Sequence, residues 1–354
     1  MNRFLIHILY FIIIPLYSSN IVAPGGDSAD KSSKKFKPGY MIMHHITDTH
    51  EWHVFDWRGK PVSIPLPIIL YHEGRGLSVF MSSKFNHGND SFMGYMLDHE
   101  KIIVVDENNK INNAETQKVW DLSITKNVFS LFFSIIIMLV VFLKTASLYK
   151  REPGVVKRGL SGFLETMILF VRDDIAKPAI GEKYYMRYMP FLLTVFFFIW
   201  LNNLLGLIPI FPGGANLTGN IAVPMILASI VFIITTLSAK KTYWQHIFAM
   251  PGVPKPVLLI LTPVEIIGML LKPFVLMIRL FANITAGHII ILSFFSLIFI
   301  FGEISPVAGY GASILSVSFV IFMTFLELLV AFLQAYVFTL LAAIYFGSAV
   351  EEEH

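Results

Sequence analysis

The chain has 354 residues, of which 55% are hydrophobic and 14% charged, and its formal net charge is +3. Its mean hydropathy is +0.66. The charged share falls well below the roughly 25% of soluble domains, which excludes an ordinary soluble protein and indicates an integral membrane protein. The small net charge argues against nucleic acid as a partner, and the absence of cysteine rules out disulfides and thiolate metal sites.

Residues 1–19, MNRFLIHILYFIIIPLYSS, carry one early arginine and an apolar run of about 14 residues. That run is short for a crossing and suits a signal peptide, with Ser18 and Ser19 small enough for a cleavage region. An uncleaved anchor is the alternative. Residues 20–122 differ in kind. They open on a linker, APGGDSADKSSKK, and continue with the short segments YMIMHHI, VSIPLPIILYH, LSVFMSS and EKIIVVDE. Branched and aromatic residues bounded by turn formers read as strands, which predicts a small β-rich domain outside the membrane.

Residues 123–354 hold the long apolar segments. Residues 127–147 span once and are followed by Lys150, Arg151, Lys157 and Arg158, which puts that end in the cytoplasm. Between 155 and 177, Leu160, Phe163, Leu164, Met167, Ile168, Val171 and Ile175 recur at helical spacing, which predicts an amphipathic helix on the cytoplasmic face. Residues 188–209 cross outward, the loop IFPGGANLTG is uncharged, and residues 220–239 return to Lys240 and Lys241. Residues 257–301 and 313–349 run for 45 and 37 positions, whereas one crossing needs about 20. Each is either two crossings or one long, steeply tilted helix. Lys272-Pro273 offers a place for a kink or break, and the short, turn-rich GEISPVAGYG makes the two a hairpin. The fold class that follows is an all-α polytopic membrane protein with about five membrane-embedded helices, an amphipathic surface helix and a small β-rich N-terminal extracytoplasmic domain.

Seven polar residues in the last two segments demand a reason: Glu265, Lys272, Arg279, Asn283, His288, Glu327 and Gln334. Arginine cannot lose its proton to escape burial, and at the centre of a membrane helix it costs roughly 2.5–3.5 kcal/mol on insertion scales. Glu265, Lys272 and Arg279, at intervals of seven, form one helical stripe if Pro273 does not break the helix. Asn283 stays near that face and His288 points away from it. Glu327 and Gln334 share a face of the second segment. If the segments pair around position 307, His288 becomes a neighbour of Glu327, and Arg279 of Gln334. An imidazole beside a carboxylate in low dielectric holds and passes a proton. A fixed cation partway along the path favours the ionised form of any carboxylate brought near it and opposes the direct passage of a bare proton. Structural readings compete at the flanks: Glu265 as a helix start, Lys272 as a snorkelling side chain, Asn283 and Gln334 as interhelical glue.

At these residues the sequence resembles subunit a of the F-type ATP synthases. The stretch KPFVLMIRLFANITAGH at 272–288 is similar to the family's signature around its essential arginine, and FVRDDIAKPAIG at 170–181, PFLLTVFFFIWLNNLLGLIP at 190–209 and FLQAYVFTLLAAIYFGSAVEEEH at 332–354 agree in order and spacing. The resemblance covers about 125–354. It implies a non-catalytic proton-translocating stator subunit in a bacterial inner membrane, with its C-terminus cytoplasmic, partnered by a ring of c subunits, b-type peripheral stalk subunits and the rest of the synthase. Arg279 would meet each c-subunit carboxylate in turn. Asn283, His288, Glu327 and Gln334 would serve the outer half-channel and Glu265 the cytoplasmic one. A tilted terminal hairpin and the absence of any cofactor or metal are implied as well. Some family members place the acid and the imidazole of the pair the other way round.

There are departures. Gly206 stands where some relatives carry an aspartate. The region 20–122 is longer than the family's outer tail and holds seven of the eleven histidines, among them His44, His45, His50 and His53. HEWH lacks one residue of HExxH, so the zinc-protease motif is absent. Surface histidines are the expected reading of this cluster, with metal binding or proton collection as alternatives. For the whole chain, a membrane-anchored receptor and a stand-alone secondary transporter remain as alternatives, although no internal repeat favours the latter.

Overall fold

A computed structural model of the chain describes residues 38–57, 60–98, 100–106, 109–151, 158–208, 211–250 and 253–351. The expected signal peptide and linker lie outside the described residues. The chain divides into two compact units, Met1–Phe133 with Leu205–Leu217, and Ser134–Leu204 with Thr218–His354.

The first unit begins with helix α1 (Pro38–Ile46), followed by strands β1 (Glu51–Trp57), β2 (Lys60–Pro65), β3 (Pro67–His72), β4 (Gly76–Met81), β5 (Tyr95–Asp98) and β6 (Lys101–Val104), the short helix α2 (Asn113–Thr116) and strand β7 (Val119–Asp121). They make three small antiparallel sheets, β1-β2, β4-β3-β7 and β5-β6. The β3–β4 turn closes on Gly76, whose φ of +77° suits a residue without a Cβ. Ile68, Leu70, Phe85, Tyr95, Leu97, Ile102 and Val104 form the core. One expected strand is wrong: YMIMHHI lies in a helix, α1. Pro38 is tolerated in a first turn and unbranched methionines favour helix, so local propensity prevails over the strand-like pattern. EWHVFDW, in contrast, forms β1, a strand the histidine motif concealed.

The second unit is helical. Helix α3 (Lys126–Arg151) starts in the first unit and leads into it. Helix α4 (Leu160–Phe170), a π-helical turn (Val171–Ala176) and α5 (Lys177–Ile180) form one path. Leu164, Val171 and Ile175 on it are buried as the periodicity predicts, whereas Leu160 and Phe163, in its first turn, are exposed because the helix has not yet reached the core. Next come α6 (Tyr185–Leu207), α7 (Ala222–Ser238), α8 (Lys241–Phe248), α9 (Lys255–Ile304) and α10 (Pro306–Val350). Among the described residues four helices are long and apolar enough to cross a membrane, and α7 with α8, bent by 104°, makes a fifth candidate. This is a multi-pass membrane protein.

Helix α9 has 50 residues and contains Pro263 and Pro273 without interruption, so of the kink or break that Lys272-Pro273 offered, a break does not occur. A proline removes one hydrogen bond, which an otherwise continuous helix survives. Nor does GEISPVAGYG form a loop. The chain reverses at Ser305 alone, whose side chain accepts the Ala308 N–H at 3.1 Å, with Pro306 at the first helical position. N-cap serine followed by N1 proline starts a helix sharply. The helices pair as a hairpin with Gly302 against Gly309 near the turn and Phe294 against Phe319 at 4.0 Å between centroids further on. Small residues carry α10 into the core: Ala335, Ala342 and Ala343 are fully buried, and Gly347 meets the Ala179 carbonyl oxygen closely.

Candidate functional site

Because α9 is unbroken, Glu265, Lys272 and Arg279 share one helix and one stripe. Arg279 and Asn283 are exposed, whereas Glu265, Lys272 and His288 are half-buried. On α10, Glu327 is 9% exposed and Gln334 5%. A Cβ added to Gly287 would stand 3.0 Å from Glu327 Cδ, so the carboxyl group lies against the residue preceding His288. The hairpin register thus matches pairing about position 307, although the turn itself is at 305. Both Glu327 oxygens are buried, and among the described residues neither has a hydrogen-bond partner. The His288–Glu327 pair is therefore one of adjoining positions across the hairpin. Arg279 and Gln334, expected to be neighbours, differ in environment, one exposed and the other buried.

Two tyrosines that sequence reasoning missed join the arginine stripe. The Lys272 ammonium stands 5.5 Å from the centroid of Tyr345 and 6.0 Å from that of Tyr243. Glu265 acts electrostatically on Tyr243, and Arg279 on Tyr345. A pocket lined by Val231, Thr235, Tyr243, Met269, Lys272 and Tyr345 lies between them. Tyr345 was legible in principle. It follows Gln334 by eleven residues, a spacing that returns to nearly the same helical face.

Toward Glu327 there is a second polar group. Asn203 on α6 donates to the Ala331 carbonyl at 3.3 Å and accepts from Thr218 Oγ1 at 2.6 Å. Ala331 lies one helical turn past Glu327. The Thr285 hydroxyl donates to the Gly219 carbonyl at 3.4 Å. Asn203 and Thr218 are both buried.

In the first unit His50 is buried, which corrects the surface reading for that member of the cluster, and His53 is half-buried. Its Nε2 is 3.1 Å from Asp121 Oδ2, and its Nδ1 is 3.8 Å from Glu100 Oε2. Burial alone would disfavour the imidazolium, but the hydrogen bonds and charges of Asp121 and Glu100 prevail and raise its pKa to about 9. Asp48 accepts from Thr125 Oγ1 at 2.8 Å and from the Asn127 N–H at 3.0 Å, and burial holds its carboxyl above the usual range despite these bonds. Trp52, Phe129 and Phe211 pack with centroids 5.2–5.6 Å apart. Together these contacts fasten the β strands to the first turns of α3. Among the described residues no group of three or more histidines and acids is arranged to hold a metal. The side chains of His44 and His45 lie outside the described residues.

Fold and site define a multi-pass helical membrane protein with ionisable side chains set into a long terminal hairpin. Residues 129–347 match the family described as ATP synthase A chain, and residues 41–122 match a domain of unknown function. The chain belongs to the ATP synthase A chain family. It is 45% identical over 237 residues to "ATP synthase subunit a 2" of Chlorobaculum tepidum, covering 65% of this chain and 64% of that one. With "ATP synthase subunit a" of Chloroherpeton thalassium it shares 42% identity over 238 residues, 66% of this chain and 68% of the relative. The corresponding protein of Chlorobium phaeobacteroides is 44% identical over 241 residues, 66% and 68% of the two chains. The chain thus spans about two-thirds of the length of these curated relatives.

Proposed function

We propose that the chain is the proton-translocating stator subunit of an F-type ATP synthase in a bacterial inner membrane, with the first unit extracytoplasmic and the C-terminus cytoplasmic. It catalyses no bond change itself. Protons reach a carboxylate on the c-ring through a half-channel containing Asn283, His288, Glu327 and Gln334, and leave through one containing Glu265. Arg279 separates the two. A guanidinium keeps its charge at any physiological pH, so it favours the ionised carboxylate as that group passes and repels a proton seeking a direct path. Its exposure on α9 leaves it open to a partner. The tilted hairpin, the c-ring and the b-type stalk partners belong to the same reading.

The observation that carries this is Glu327, an acid buried in the hairpin with both oxygens unpartnered beside the His288 position. Such a group destabilises the fold and is retained for what it does. The test is Arg279→Ala in the intact assembly. Proton-driven ATP synthesis should vanish while the chain still inserts and copurifies with the c-ring. Substantial retained synthesis refutes the role of Arg279, and a chain stable and active alone refutes the stator reading.

A further inference from the structure

We infer that the outer face of the β4-β3-β7 sheet is a docking surface for the lipid bilayer. An antiparallel sheet with one face on the core normally turns a polar face to water. This one does not. Its inner face supplies Ile68 and Leu70 to the core, and its outer face is apolar as well. Leu77 (64% exposed), Val79 (61%), Met81 (42%), Tyr71 (46%), Trp120 (61%) and Leu122 (41%) all project from it. The strand register aligns Leu77, Tyr71 and Trp120 in one row. The Leu122 N–H bonds to the Ile69 carbonyl at 2.8 Å, which places Val79, Ile69 and Leu122 in the next. None of these residues is charged. A contiguous apolar patch of this kind marks an interaction surface.

Chain continuity identifies the occupant. Strand β7 runs on beside β3, with the Ile124 N–H bonded to the Pro67 carbonyl at 3.0 Å. Two residues later, at Lys126, helix α3 begins, 26 residues long and apolar enough to cross the membrane. Leu122 precedes that start by four residues, at most about 14 Å of extended chain. Lys126 is itself tied back to the β unit, its N–H bonded to the Thr49 carbonyl at 2.9 Å. The patch is thus held at the end of a membrane span. Its tryptophan and tyrosine are the residues that settle at the boundary between headgroups and hydrocarbon, where an aromatic body and a polar tip are both accommodated. The aliphatic side chains beside them fit the same depth. This inference requires no choice of membrane side and is independent of the proton route.

The absence of cysteine from the chain allows a direct test. Val79→Cys, and separately Leu77→Cys, would carry an environment-sensitive fluorophore on the full chain in phosphatidylcholine–phosphatidylglycerol vesicles, with exposed Asp90→Cys as reference. Both side chains on the face are exposed, so neither substitution disturbs the core. Quenching at 79 and 77 by nitroxide-bearing lipid should exceed quenching by a water-soluble nitroxide several-fold, and position 90 should show the reverse. Equal access of the aqueous quencher to 79 and 90 overturns the inference, because the face is then solvated. Protection from both quenchers overturns it too, because residues 1–37, a second copy or another protein then covers the face.

Discussion

The two units of this chain treat their carboxylates in opposite ways. In the first, Asp121 holds His50 at 3.1 Å and the Ser123 N–H at 2.9 Å, Asp48 accepts from Thr125 and Asn127, and Glu51 takes Ser63 at 2.8 Å and His87 at 2.7 Å. In the second, Glu327 is more buried than any of these, at 9% exposed, yet among the described residues neither oxygen has a hydrogen-bond partner. Partnered acids build structure, since each bond to a charged group contributes roughly 1.5–3 kcal/mol. An unpartnered acid in a membrane hairpin weakens the structure and is worth keeping only for what its proton does. The same residue type therefore carries two meanings, separated by its partners.

The largest effects should come from testing that division in the hairpin. Glu327→Gln removes the titratable group and keeps the shape. Proton-driven synthesis should fall on the order of tenfold or more, which is about 1.4 kcal/mol or more in barrier, while resistance to heat or denaturant stays level or rises. A matching loss of stability would place Glu327 with the structural acids and dissolve the contrast. Exchanging the pair, His288→Glu with Glu327→His, should restore more synthesis than either single change. A double variant no better than the worse single one refutes the pairing.

Gly287→Ala is a gentler probe of the same contact. Its new Cβ would meet the Glu327 carboxyl, and overpacking of this kind typically costs about 1–3 kcal/mol when neighbours cannot move. Glu327 is a side chain rather than backbone, so it should yield by turning away from His288. Synthesis should then drop several-fold with little change in the amount of inserted protein. Unchanged proton transport would show that the close approach of Gly287 and Glu327 is incidental.

Legibility in the sequence followed the same boundary. Helix periodicity and membrane length located the spans, and seven-residue intervals placed Glu265, Lys272 and Arg279 on one face because that arithmetic holds whenever a helix is unbroken. Whether Pro273 breaks it depends on tertiary and lipid surroundings, which no local rule contains. The hairpin register was near because pairing about position 307 averages over many residues, while the turn collapsed to Ser305 through one cap. In the first unit, sequence rules did worse. YMIMHHI has strand-like composition and is helical, and EWHVFDW was obscured by its histidines. His50 finds Asp121 and Glu100 across 71 and 50 positions, a pairing set by sheet topology rather than by spacing. Asn203 and Thr218 likewise meet only because two helices and a loop converge.

The smallest effect sharpens the comparison from the side of the partnered charges. His50 has a pKa raised from 6.5 to about 9. Below 6.5 it is protonated in both folded and unfolded chain, so its contribution to stability is complete. As pH rises from 6.5 toward 9, the unfolded chain releases the proton while the folded unit keeps it, and the contribution is lost, on the order of 3 kcal/mol in all. Asp121 is held below its ordinary value: burial opposes its charge, but His50 and Ser123 outweigh it. Its contribution is present above that ordinary value and lost as pH falls through the folded one. Asp48, raised by burial, works against Asp121 on the acid side, and the buried Lys126 ammonium faces Asp48 and Glu100, so the alkaline limb is read against a His50→Gln control. Amide exchange at β7 and at Ser123–Lys126 in the full chain, corrected for intrinsic rates, should show protection declining between pH 6.5 and 9. The decline should flatten in His50→Gln, which should also be less protected at pH 6. A slope that persists in the variant would mean that another group titrates there, and the buried imidazole would lose its place among the partnered charges of the first unit.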